Sequence, residues 1–282
     1  MTIPNYWTNI QVLNDNVLQE VSSYLNAEDF TALSMTNKRF NAFFGDKVWG
    51  ENIASREKDK WTKYYGNINT IPRVPFSALT FLKGPSVLDS TRKASSDFKL
   101  FWMPKEINKE PHTINNFEKY AKNAPSRLAL PNSSSPLSKG ACYDYIDPKI
   151  VQSEKGISLG DTPVEKGYWY VISTKIALHT ENNKDLRFEQ QENRVTNWGK
   201  QYSIAKVIEV TTSSLRTLTE SKKQLCPEKF PDRFVFSRCK EKIAGNQVII
   251  SELENDITVN ARPYMDVGHG VNVVVKFDPD KT

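Results

Sequence analysis

The spacing of apolar residues changes character near residue 66, and this switch constrains the fold more than any other feature of the chain. Before it, apolar side chains recur three and four positions apart, the period of a helix face. Beyond about residue 164 they gather in short runs rich in aromatic and β-branched residues, as strands require. Gly66, Pro72, Pro75, Gly84 and Pro85 punctuate the change. Residues 76–122 read as short helical pieces mixed with loop, with Phe98, Phe101 and Trp102 as apolar anchors. Residues 123–140, rich in Ser, Pro and Asn, read as a loop. The expected class is α+β: an N-terminal three-helix module over 8–60, a connecting region over 61–140, and a mostly antiparallel-sheet domain with a packed helix over 141–282.

The N-terminal helices are the most regular part. Asn14 suits a helix N-cap, with Asp15 in the first turn, where the helix dipole favours an acid. Val17, Val21 and Leu25 then share one face, opposite Gln19, Glu20, Ser22 and Ser23. Asn26-Ala27-Glu28-Asp29 signals a second start, followed by Phe30 and Leu33. Thr36 suits the cap of a third helix carrying Phe40, Phe43 and Phe44; Gly45 is its expected stop and Trp49 an apolar plug closing the segment. Three helices in about 35 residues bury too little to stand alone, since domains below about 40 residues rarely hold together unaided. Their apolar faces need the rest of the chain, a partner, or both.

In order and at matching spacing the segment shows Leu13-Asn14, Val17-Leu18, Val21, Tyr24-Leu25, Asp29-Phe30, Leu33, Asn37-Lys38-Arg39-Phe40 and Trp49. This pattern resembles the F-box, which begins with leucine-proline; here Asn14 stands where the family has proline. The resemblance implies docking to Skp1, and through it to Cul1 of an SCF ubiquitin ligase, while the rest of the chain selects a target protein for ubiquitination. Carried over by position, Leu13, Val17, Leu18, Val21, Leu25, Phe30 and Leu33 would form the Skp1-facing surface. Helix-in-groove contacts of this kind draw affinity from a few buried apolar anchors. Two C-terminal stretches, Gly167 to Lys175 and Phe236 to Gln247, are similar to segments of F-box-like proteins of amoeba-associated chlamydiae. That likeness implies a bacterial effector acting in the cytosol of a eukaryotic host.

In the last third, Tyr168 to Ile176, Phe234 to Phe236, Gln247 to Ile250, Ile257 to Val259 and Val271 to Phe277 read as strands, and Tyr202 to Leu218 as the helix among them. Gly245-Asn246 and Gly268-His269-Gly270 read as turns.

Composition narrows the function classes. Lys+Arg 38 against Asp+Glu 33 leaves only +5 over 282 residues. Lys222-Lys223 and Lys240 to Lys242 are interleaved with Glu220, Glu228 and Glu241, a solvated face rather than a nucleic-acid footprint. No run approaches the ~18 apolar residues of a membrane span. Residues 1–20 lack the basic and apolar regions of a secretory signal. Neither membrane nor nucleic acid is an expected partner, and the expected location is cytoplasmic.

Cys142, Cys226 and Cys239, with His112, His179 and His269, are too scattered for a disulfide scaffold or a metal cluster, and no cofactor is expected. The enzymatic alternative is a hydrolase using a surface acid, or Cys239 with His179 or His269, its thiol activated by Arg238 and Lys240. Strand alternation argues otherwise, because it would turn Cys239 inward and the two basic residues to the opposite face. The expectation is a non-catalytic adaptor; a scaffold with no link to ubiquitin ligases is the remaining alternative.

Overall fold

The computed structural model describes residues 38–122, 137–139, 159–178, 186–221, 223–226, 236–243, 246–253, 256–262 and 270–279. The fold is mixed helix and mostly antiparallel sheet.

Helix α1 spans Lys38–Tyr64, 27 residues without interruption. The expected stop at Gly45 does not occur. A glycine inside a helix costs only about 1 kcal/mol, and the second half of α1 is held by packing, with Ala54, Glu57 and Trp61 all buried on one face. The helix ends at Gly66 instead. There φ is +132° and the Tyr65 and Gly66 amides both donate to the Trp61 carbonyl, at 2.9 and 3.0 Å. Trp49, expected as an apolar plug, is 39% exposed, with the Lys83 ammonium 5.5 Å from its ring centroid. The helices expected before residue 38 lie outside the described residues.

Beyond α1 come helices α2 (Phe76–Lys83), α3 (Ala94–Asp97), α4 (Ile114–Lys122), α5 (Phe188–Asn197) and α6 (Val207–Ser221). The first sheet is antiparallel throughout, in the order β1 (Phe98–Met103), β5 (Tyr168–Ser173), β11 (Val273–Phe277), β6 (Tyr202–Ile204). The second runs β10 (Gly270–Val271), β7 (Phe236–Ile243), β8 (Asn246–Leu253), β9 (Asp256–Arg262), β4 (Leu137–Lys139), with antiparallel pairing in the middle and parallel pairing at both edges. A small hairpin joins β2 (Glu106–Ile107) to β3 (Glu110–Pro111) through Asn108 and Lys109, both at positive φ as such a two-residue turn demands.

Several local expectations change. Phe98–Met103 is a strand, not helix or loop, since its apolar residues complete the sheet beside β5. Leu137–Lys139, inside the stretch read as loop, pairs with β9. The helix expected from Tyr202 starts at Val207, after β6.

Helix α6 is the hub. It packs on β5 of the first sheet, on β7, β8 and β9 of the second, and on α1 and α4. Its buried positions include Thr211, Thr212, Ser213, Ser214 and Thr217, small side chains that let strands approach closely. Two of these hydroxyls bridge to neighbours, Ser213 with the Tyr170 hydroxyl at 2.7 Å and Thr217 to the Ser213 carbonyl at 2.7 Å, while the buried Thr211 hydroxyl has no hydrogen-bond partner among the described residues. The two sheets are pinned at Asn272, where the chain leaves β10 and enters β11. Its Nδ2 donates to the Ser173 carbonyl at 3.0 Å, its amide to the Ser237 hydroxyl at 2.9 Å, and its carbonyl accepts from the Ala205 amide at 2.9 Å.

Candidate functional site

The chemistry-bearing side chains of the described residues collect along α6. Toward its C-terminal end, Arg216 lies fully buried between helix and sheet. Its Nη1 and Nη2 both donate to the Glu57 carboxylate of α1, the second at 3.1 Å, and its Nε donates to Glu220 Oε1 at 2.7 Å. The guanidinium also lies over aromatic faces, 4.8 Å from the Trp61 ring and 5.3 Å from the Phe101 ring. Glu57 Oε1 accepts the Trp102 amide at 3.0 Å, which satisfies an edge-strand N–H that has no strand neighbour. Lys60 reaches Glu220 Oε2 at 3.2 Å. Burial pushes the Glu57 carboxyl up, but the charge and hydrogen bonds of Arg216 outweigh it and hold the group below the usual carboxylate range. Burial lowers Arg216 as well; Glu57 and Glu220 more than reverse this, so it stays charged. The network fastens α1 to α6 and commits the guanidinium to Glu57 and Glu220.

Next to it opens a cavity of about 360 Å³, lined by Lys99, Lys175 and Lys223 together with Ser96, Thr174, Thr217 and Ser221. Strand β1 places Lys99 on the side facing α6, as it does Phe101 two residues on. The Lys99 ammonium donates to Thr217 Oγ1 at 3.1 Å and lies 5.1 Å from the Phe101 ring. Burial lowers its pKa. Lys175 follows β5 and lies 3.6 Å from Asp97 Oδ1, which also pairs with Arg92 at 3.1 Å. Lys223 follows the end of α6 and is exposed.

Around the first turn of α6 stand two carboxylates. Glu209, buried, accepts from the Tyr168 hydroxyl at 2.7 Å and the Lys206 amide at 2.8 Å, and pairs with Lys276 at 2.6 Å. Glu241 of β7 accepts the Val207 amide at 2.9 Å. Burial raises its pKa, and the neighbouring Glu209 adds to the rise. These acids satisfy helix N-terminal amides, the position where carboxylates are most stabilising.

Cys239 is fully buried in β7. Burial pushes its thiol pKa well up, and Glu241 and Glu209 push the same way, the reverse of an activated thiolate. Arg238, expected on the face opposite Cys239, is not exposed either. It is buried, with Nη1 donating to the Leu186 carbonyl at 3.0 Å and Gln191 Oε1 at 3.1 Å, while Lys240 is exposed. The burial of Arg238 comes from Leu186 and Gln191, which cover it, and the register of β7 against β8 shifts only beyond it, between Arg238 and Lys242. His179, His269 and Cys142 lie outside the described residues. His112 is buried, its Nδ1 3.0 Å from the Pro104 carbonyl and its Nε2 3.4 Å from Thr212 Oγ1. Burial lowers its pKa to about 4, so the ring is neutral near pH 7.

Leu13, Val17, Leu18, Val21, Leu25, Phe30 and Leu33, the residues expected to face a partner, all lie outside the described residues. Glu57, Arg216 and Lys99 were not singled out from the sequence, where each is an ordinary charge in a mixed context. Among the described residues no group of His, Cys, Asp and Glu is placed to hold a metal, and no helix is long and apolar enough to cross a membrane. No family model, curated protein or solved structure matches the chain.

Proposed function

We propose that this chain is a non-catalytic adaptor. Its F-box-like residues 8–60 dock Skp1, and through it Cul1 of an SCF ubiquitin ligase. The C-terminal part, residues 141–282, presents a target protein. The setting is the cytosol of a eukaryotic host, with the chain acting as a bacterial effector.

The ordered motif from Leu13 to Trp49 motivates the reading. The observation that carries it further is the continuity of α1. One helix begins within Asn37-Lys38-Arg39-Phe40 and ends against α6 and the first sheet. At 1.5 Å per residue it is a strut of about 40 Å. An adaptor needs such a strut, because ubiquitin transfer depends on a fixed separation between ligase and target. The buried Glu57–Arg216 pair and Trp61 fasten the strut to the core.

The test is capture of purified Skp1 by the full chain, wild type against Leu13→Ala/Leu18→Ala, followed by probing for Cul1 from a eukaryotic lysate. Skp1 retained by wild type and lost from the variant, with Cul1 following Skp1, is the expected result. Equal capture by both, or by neither, refutes docking through this surface. Skp1 without Cul1 would make the chain a scaffold with no link to the ligase.

A further inference from the structure

We infer that the lysine-lined cavity beside the end of α6 binds a small phosphate-bearing molecule, its phosphate held by Lys99, Lys175 and Lys223. The inference stands apart from the adaptor reading and uses none of the N-terminal residues.

Its first support is charge. Lys99, Lys175 and Lys223 line one cavity, and no carboxylate lines it with them. Among the described residues the buried Arg216 is matched in contact by Glu57 and Glu220. Lys99 makes no ion pair among the described residues, and Glu220 acts on it only from beyond contact. Lys99 is half-buried, and its only hydrogen bond among the described residues goes to the neutral hydroxyl of Thr217. An ammonium has three N–H groups, so two remain for an acceptor in the cavity. A desolvated cation held without a counter-charge weakens a fold unless something supplies one.

The second support is the rest of the lining: Ser96, Thr174, Thr217 and Ser221 bring hydroxyl-bearing side chains beside the three lysines, and no acidic side chain is among them.

Size and charge then choose the ligand. About 360 Å³ falls at the small end of ligand pockets, larger than a lone phosphate needs. Leu225 and the lysine stems give the remaining space an apolar side. Lys99 and Lys223, with Lys175 shared with Asp97 at 3.6 Å, match a phosphate ester better than a single carboxylate, and lysine serves phosphate as a compact charge.

The full chain is titrated with ribose 5-phosphate, ribose, inorganic phosphate and a phosphoserine peptide, followed by ³¹P NMR and calorimetry. Ribose 5-phosphate should give a saturable ³¹P shift that weakens as salt rises, inorganic phosphate a weaker one, and ribose no heat. Lys99→Gln should weaken ribose 5-phosphate about tenfold, the loss of one charged contact. Lys223→Gln, at an exposed position with no fold to disturb, should weaken it several-fold. Lys240→Gln, on the exposed side of β7, should bind as wild type. No saturable shift in the wild-type chain, or equal affinity in all three variants, overturns the proposal. So does inorganic phosphate binding as tightly as the sugar phosphate, or the phosphoserine peptide binding more tightly than either.

Discussion

Glu57 and Arg216, 159 residues apart in sequence, meet in a buried ion pair that joins α1 to α6, Nη2 donating to Oε2 at 3.1 Å. Such a pair is weak evidence for net stability but strong evidence for mutual dependence, because removing one charge strands the other. Arg216→Met leaves Glu57 buried without its ion-pair partner and Glu220 with Lys60 alone, at a cost of about 3–5 kcal/mol. In Glu57→Leu/Arg216→Met the cost is expected to fall below that of Arg216→Met alone. Urea unfolding of the single and double variants measures the coupling. Strictly additive losses would show that the two side chains act independently.

His112 makes the fold sensitive to mild acid. Its folded pKa of about 4 lies below the ordinary 6.5, because burial excludes the charged ring and the nearby Arg216 opposes it too. The unfolded chain therefore takes up the proton first. Stability from this group is complete above about pH 6.5, falls as pH drops toward 4, and changes no further below that. The shift corresponds to about 3 kcal/mol over the window. Unfolding free energies at pH 7.5 and pH 4.5 should differ less in His112→Gln than in wild type by that order. An identical pH dependence in both chains would mean the ring titrates normally.

Gly66 ends α1 in a conformation that side chains resist. At φ +132° any L-residue is strained, and a β-carbon there would lie 2.2 Å from Asn108 Nδ2 in the β2–β3 turn. The Asn108 side chain is committed, since its Oδ1 accepts the Asn67 amide at 2.8 Å. Gly66→Ala should cost about 1–3 kcal/mol in backbone strain, with more if Asn108 must move. Gly84 is the control: its φ is −72° and a β-carbon would meet the Phe81 and Thr80 carbonyls at 3.4 and 3.6 Å, ordinary van der Waals contacts. Thermal denaturation should separate the two alanine variants clearly; equal melting temperatures would remove the argument.

The α+β class and most C-terminal strands were legible because β5, β8, β9 and β11 are built from β-branched and aromatic runs bounded by turn residues. Where local signals and tertiary packing disagree, packing prevails. Gly45 looks like a stop, yet α1 continues through it because Ala54, Glu57 and Trp61 are held by partners far along the chain. Phe98–Met103 is a short apolar run whose strand identity depends on pairing with β5, some 70 residues later. Helix α5 went unread although Phe188, Gln191 and Val195 share a buried face, because polar residues fill the spaces between them. The sites were less legible than the fold. Neither the Glu57–Arg216 pair nor the Lys99 cavity has a local motif, since each forms only when β1, α1 and α6 assemble. The F-box-like seam from Leu13 to Leu33 is the opposite case, legible as a pattern and lying outside the described residues.

Cys239 separates the adaptor reading from a thiol enzyme. A nucleophilic cysteine needs a stabilised thiolate within reach of solvent. Cys239 is fully buried, and burial, Glu241 and Glu209 all favour the protonated thiol. In the native chain at pH 7.5, iodoacetamide should alkylate it on the order of 100-fold more slowly than in the urea-unfolded chain, because reaction must await local opening. Mass spectrometry of the Cys239 peptide, with Cys142 and Cys226 followed separately, gives the rate site by site. Native labelling at or above the unfolded rate would reveal an activated, accessible thiol and reopen the hydrolase alternative.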